Sequence, residues 1–154
     1  MAIQTSPIVA ITSGTVVLLV LGSIYTFGAL TPYIASYLYY YGDPTSTTAL
    51  SILFTAALIF TNLGQIASSA LSAKLSNRAL CFIAIFCISG SIFIVSFLKT
   101  FISYVIFYGM IYGFSIGIGY LPPVKNAYLH LPNRKGLVAG ICMSGFGLSS
   151  VIFN

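Results

Sequence analysis

Residues 12–39, TSGTVVLLVLGSIYTFGALTPYIASYLY, contain no charged side chain and run into the tyrosine cluster Tyr37, Tyr39, Tyr40 and Tyr41. About 20 apolar residues carry a helix across the hydrocarbon core of a bilayer, and tyrosine collects where that core meets the headgroups. The stretch therefore reads as a full transmembrane helix ending at an interface. It also reads as a retained span, because no basic segment precedes it and it is too long for the apolar region of a secretory signal.

The rest of the chain follows the same pattern. Apolar residues make up 58% of 154 positions and charged residues 5%, with a mean hydropathy of +1.04. A water-soluble domain keeps about a quarter of its residues charged to hydrate its surface, so the solvent here is lipid. The pattern predicts an all-α membrane protein, one transmembrane domain over residues 1–154, with spans at 12–39, 49–72, 80–98, 102–124 and 137–153. Polar connections separate them. Tyr41-Gly-Asp-Pro-Thr-Ser is a turn holding Asp43, the only acid of the chain. Ser72-Ala-Lys-Leu-Ser-Asn-Arg follows the second span, Lys99 the third, and a loop with His130, Pro132, Asn133, Arg134 and Lys135 the fourth.

The basic residues give orientation. Lys74, Arg78, Lys125, Arg134 and Lys135 lie in the connections after spans two and four, and Lys99 alone lies in those after spans one and three. Cations favour the cytoplasmic side, so the N-terminus is expected inside and Asn154 at the outer face. Scattered in this way, the cations form no stripe that could track phosphates, and a nucleic-acid partner is not expected. Cys81, Cys87 and Cys142 sit in apolar runs with no paired spacing and read as small buried hydrophobes. His130, between Leu129 and Leu131, reads as an interfacial residue rather than a proton carrier. No metal, cofactor or catalytic constellation can be assembled from one acid and one histidine, so an enzyme is not expected.

Spans one and four share the pattern Gly-x-Leu-x-Pro-x-x-x-x-Tyr-Leu. It is Gly28, Leu30, Pro32, Tyr37, Leu38 in one and Gly119, Leu121, Pro123, Tyr128, Leu129 in the other, and the pair Gly22 and Gly113 keeps the same offset. Span one runs outward and span four inward, so a three-helix unit repeated at this offset is inverted, an arrangement found in secondary transporters. Pro32 and Pro123 then lie on opposite sides of the midplane, as gate kinks or as frayed helix ends. Gly28 and Gly119 are expected to face neighbouring backbone. Gly109, Gly113 and Gly117 recur four apart in span four, and Gly136, Gly140, Gly145 and Gly147 fill span five. Small residues at such spacing let helices approach closely in lipid.

No span carries an evident buried charge, so candidate cavity-lining residues are the polar ones: Tyr25, Tyr33, Asn62, Gln65, Tyr108 and Tyr112. Asn62 and Gln65 share a helix face, and their amides are expected to turn toward the bundle, as links between helices or as substrate contacts.

From Gly113 to Asn154 the sequence resembles helices four and five of the monocarboxylate and oxalate/formate branch of the major facilitator superfamily. The residues that carry the resemblance are Gly119-Tyr-Leu-Pro-Pro-Val, Leu131-Pro-Asn-Arg-Lys-Gly-Leu-Val-Ala-Gly and Ser144-Gly-Phe-Gly-Leu. Gly22-Ser-Ile-Tyr-Thr-Phe-Gly-Ala-Leu-Thr-Pro-Tyr is similar, more loosely, to helix one of that branch. The family's loop between helices two and three is matched in its cations, Lys74 and Arg78, while Ser69, Ala73 and Ser76 stand where it carries glycine, aspartate and glycine. Animal monocarboxylate carriers have a lysine where Ala29 stands here, so the likeness leans to the oxalate/formate side. The resemblance implies the N-terminal part of a carrier that moves small organic anions, with or without a proton, by alternating access once a second half completes it. A membrane subunit that keeps the scaffold for assembly, in an oligomer or with a partner subunit, is the alternative.

Overall fold

The structure, a computed structural model, describes residues 7–43 and 45–153; residues 1–6, Pro44 and Asn154 lie outside them. Among the described residues, five helices are long and apolar enough to cross a membrane. They are α1 (Pro7–Tyr40), α2 (Thr47–Leu71), α3 (Asn77–Val95), α4 (Phe101–His130) and α5 (Lys135–Phe153), the last preceded by a 3-10 turn, Pro132–Arg134.

The spans stand where hydropathy places them, but α1 begins five residues earlier than expected and α4 runs to His130 instead of ending at residue 124. The segment expected to be a loop from Lys125 onward is helical as far as His130, whose Nδ1 donates to Asn126 O at 2.9 Å. Polar side chains past the hydrocarbon edge do not stop a helix, since its backbone stays bonded within itself in water as in lipid. Leu131, with a non-helical backbone just before Pro132, ends it.

Local signals set the other ends. After α1, Gly42 adopts φ +84°, Gly42 N–H donates to Tyr39 O and Asp43 N–H to Leu38 O. This is a Schellman closure, which requires a residue tolerant of positive φ. Ser46 and Ser76 cap α2 and α3 by accepting from Ala49 N–H and Ala79 N–H.

The bundle is built around α4, against which α1, α2 and α3 all pack, while α1 pairs with α5. An unbroken buried run from Ser115 to Gly119 and from Pro122 to Val124 shows how fully α4 is enclosed. Its glycine stripe faces α2. A methyl group on Gly113 would collide with Ala57 O, one on Gly117 with Thr61 O, and one on Gly64 of α2 with Phe114 O. Thr61 Oγ1 bonds both Ala57 O and, across the interface, Gly113 O at 3.0 Å. The α1–α5 seam is built alike, with Gly22 pressed on Phe146 O and Gly145 on Thr15. In α5 only Gly145 packs so closely, whereas Gly136, Gly140 and Gly147 have open space beside them. The expectation of dense packing along the whole of α5 is corrected accordingly.

Both long helices depart from regular α geometry: α1 tightens to 3-10 over Gly22–Thr26, and α4 widens to π over Val105–Tyr112. Neither irregularity is at the prolines. Pro122 and Pro123 lie inside continuous helix, and Ser68 of α2 explains part of this. A proline leaves the carbonyl four residues earlier without its donor. For Pro122 that carbonyl is Ile118 O, and the buried Ser68 hydroxyl donates to it at 2.9 Å.

Candidate functional site

The six polar residues singled out from the sequence do not converge. Tyr112 lines a cleft of about 280 Å³ at mid-height, between α1 and α3, with α4 as its floor. Its polar atoms come from Ser23, Ser89 and Tyr112, its walls from Leu21, Ile88, Ile116 and their neighbours. Ser23 Oγ and Tyr112 OH are 3.2 Å apart, so one hydrogen bond spans α1 and α4 at the cleft floor. Tyr112 is held flat by Tyr108, with ring centroids 4.7 Å apart and planes 19° apart, and Tyr108 leans on Phe27 at 5.2 Å. Phe27 in turn stacks on Phe54 of α2. Tyr108 is thus a core residue that supports Tyr112, and the stack fixes the phenol that the cleft presents.

The others lie elsewhere. Tyr25 is partly exposed and meets Phe146 edge-on at 5.4 Å, as Tyr120 does from α4. Tyr33 is 74% exposed. Asn62 is also exposed, and its Nδ2 donates to Leu58 O at 2.8 Å. Its amide does not turn into the bundle, and one of its two N–H groups is bonded by the preceding turn of its own helix. Gln65 is half-buried. Of the expected kinks, Pro123 is buried in the bundle and Pro32 is exposed. Ser23 and Ser89 escaped sequence reasoning, because serine in an apolar run usually bonds its own helix and gives no pattern.

The two ends of the bundle differ in charge. At one, Asp43 Oδ2 accepts from Phe101 N–H at 2.8 Å, placing the only carboxylate at the start of α4, and Lys99 Nζ lies 4.5 Å over the ring of Tyr41. At the other, Lys125 Nζ donates to Ser72 Oγ at 2.6 Å, tying α4 to the connection that carries Lys74 and leads to Arg78 at the start of α3. Lys74, Arg78, Arg134 and Lys135 are exposed. No family model matches this sequence, and no curated protein matches it significantly.

Proposed function

We propose that these five helices are the N-terminal part of a major facilitator-type secondary transporter for small organic anions such as monocarboxylates. The observation that carries the reading is the pairing of Gly22 and Gly113. They are 91 residues apart, like the shared motif, and each lies where its helix presses on a backbone carbonyl of a neighbour, Gly22 against α5 and Gly113, with Gly117 one turn on, against α2. An inverted repeat that exchanges α1 with α4 and α2 with α5 requires this correspondence. In this reading the N-terminus is cytoplasmic and the cation-rich end faces inward. The cleft beside Ser23 and Tyr112 supplies hydroxyl donors but no cation, so the counter-charge for an anion comes from a second half.

Two measurements test it. Co-reconstituted with the separately cloned second half of an oxalate/formate carrier, the chain should give saturable oxalate counterflow, and alone it should give none above empty vesicles. Saturable uptake by a verified monomer, or an inert pair beside a working native pair, counts against the proposal. Cysteine labelling should find positions 43 and 99 on one side of the membrane and 74 and 134 on the other; labelling of 43 and 134 from one side overturns the orientation. The scatter of the polar candidates favours a second reading, a non-transporting subunit that keeps the scaffold for assembly.

A further inference from the structure

We propose that the end of the bundle bearing Lys74, Arg78, Lys125, Arg134 and Lys135 is a seat for anionic phospholipid headgroups. The Lys125–Ser72 hydrogen bond brings the α2–α3 and α4–α5 connections to one end, so five of the chain's six cations share it. The only acid, Asp43, is at the opposite end, bonded to Phe101 N–H. Protein carboxylate side chains therefore cannot neutralise the cluster.

Helix geometry sharpens the imbalance. Arg78 stands in the first turn of α3, and Arg134 and Lys135 stand at the start of α5. The N-terminus of a helix carries a partial positive charge that favours an anion and disfavours a cation. Neither helix has an acid in its first turn. Cations and helix dipoles thus reinforce one another on a surface where four of the five cationic side chains are exposed. A phosphate beside either helix start meets both the cation and the dipole of that helix.

The position selects the kind of anion. These residues directly follow or precede apolar spans, at the depth where headgroups lie, and basic clusters beside spans attract anionic lipid. With the N-terminus inside, the leaflet they face is the negatively charged cytoplasmic one. The inference rests on that orientation for its biological side, but the binding itself does not depend on it. Lys99, alone at the other end and engaged over Tyr41, is the built-in control.

The purified chain in detergent doped with equal amounts of phosphatidylcholine and phosphatidylglycerol tests this, with retained lipid counted by native mass spectrometry. Phosphatidylglycerol should be retained in clear excess. The combined variant Lys74→Gln, Arg78→Gln, Arg134→Gln, Lys135→Gln should lower its retention at least about tenfold, given about fivefold for each cation near an anionic surface. The charge-keeping exchange Lys74→Arg, Arg78→Lys, Arg134→Lys, Lys135→Arg should preserve it, and Lys99→Gln should leave it unchanged. If the neutralised variant does not fold, 1 M NaCl on the unaltered chain serves instead: it should release phosphatidylglycerol and leave phosphatidylcholine, since screening then acts within about 3 Å. Equal retention of both lipids, indifference to salt, or an equal loss with Lys99→Gln overturns the proposal.

Discussion

Gly28 in α1 and Gly119 in α4 occupy the same place in one shared motif, yet their surroundings differ. A methyl on Gly119 would meet Ala84 Cβ at 3.0 Å and Leu21 Cδ1 at 3.3 Å, while one on Gly28 would meet nothing within 4 Å. The expectation that both face neighbouring backbone is corrected on both counts: Gly119 meets side chains and Gly28 meets open space. Pro123 and Pro32 repeat the contrast, one buried and the other exposed. Gly22 and Gly113 do not, since both are pressed against a carbonyl of a neighbouring helix. The close crossing is therefore shared by Gly22 and Gly113, six residues before the motif glycine in each helix, and not by the motif residues themselves. Beyond that crossing, burial depends on whether a further helix is at hand. For Gly119 that helix is α3.

The sharpest way to break the comparison is to add bulk at the paired positions. Gly113→Leu should abolish folding, or cost well over the roughly 3 kcal/mol typical of severe overpacking, whereas Gly28→Leu should stay within about 0.5 kcal/mol. Steric-trapping or denaturant unfolding in micelles reads both, and similar losses at the two sites would remove the distinction. Gly22→Val comes next, with a loss of about 2 kcal/mol, accompanied by a fall in disulfide cross-linking between a cysteine placed at Thr15 and the native Cys142, which faces it. If α5 stays cross-linked and the stability holds, the Gly22 crossing is not the equivalent of that at Gly113.

Smaller effects separate hydrogen bonds made between helices from those made within one. Ser68→Ala leaves the proline-freed Ile118 O buried without a donor and should cost about 1 kcal/mol. Asn62→Ala removes a bond within α2 at an exposed position and should change stability by less than about 0.5 kcal/mol. Asp43→Ala should fall between them at about 0.8 kcal/mol, because it removes a carboxylate from the start of α4, and Asp43→Asn should restore part of the loss. A ranking with Asn62 above Ser68 would mean that the α2–α4 seam tolerates an unpaired carbonyl.

The spans were legible because lipid imposes length and apolarity on every crossing helix, as 12–39 already displays. Their ends were not, because α4 continues as helix through Lys125, Asn126 and His130, past its apolar stretch. The glycine stripe of α4 was legible from its spacing, but the partner of each glycine was not. The rule that an intramembrane amide seeks the bundle leaves out local acceptors, and for Asn62 Leu58 O takes one of the two N–H groups. The Ser23–Tyr112 and Ser68–Ile118 bonds join residues distant in sequence, so no local pattern announces them.

The lengths of α1 and α3 have a consequence for the surrounding lipid. At about 1.5 Å per residue, the 34 residues of Pro7–Tyr40 span about 50 Å, and the 19 of Asn77–Val95 about 28 Å. One helix exceeds the roughly 30 Å hydrocarbon layer and the other barely reaches across it. The protein therefore offers the membrane two thicknesses on its circumference. In a bilayer of that thickness α3 would just match the hydrocarbon layer, while α1 would have to lean or extend beyond it. Membrane thickness thus acts on the two sides of this bundle in opposite directions.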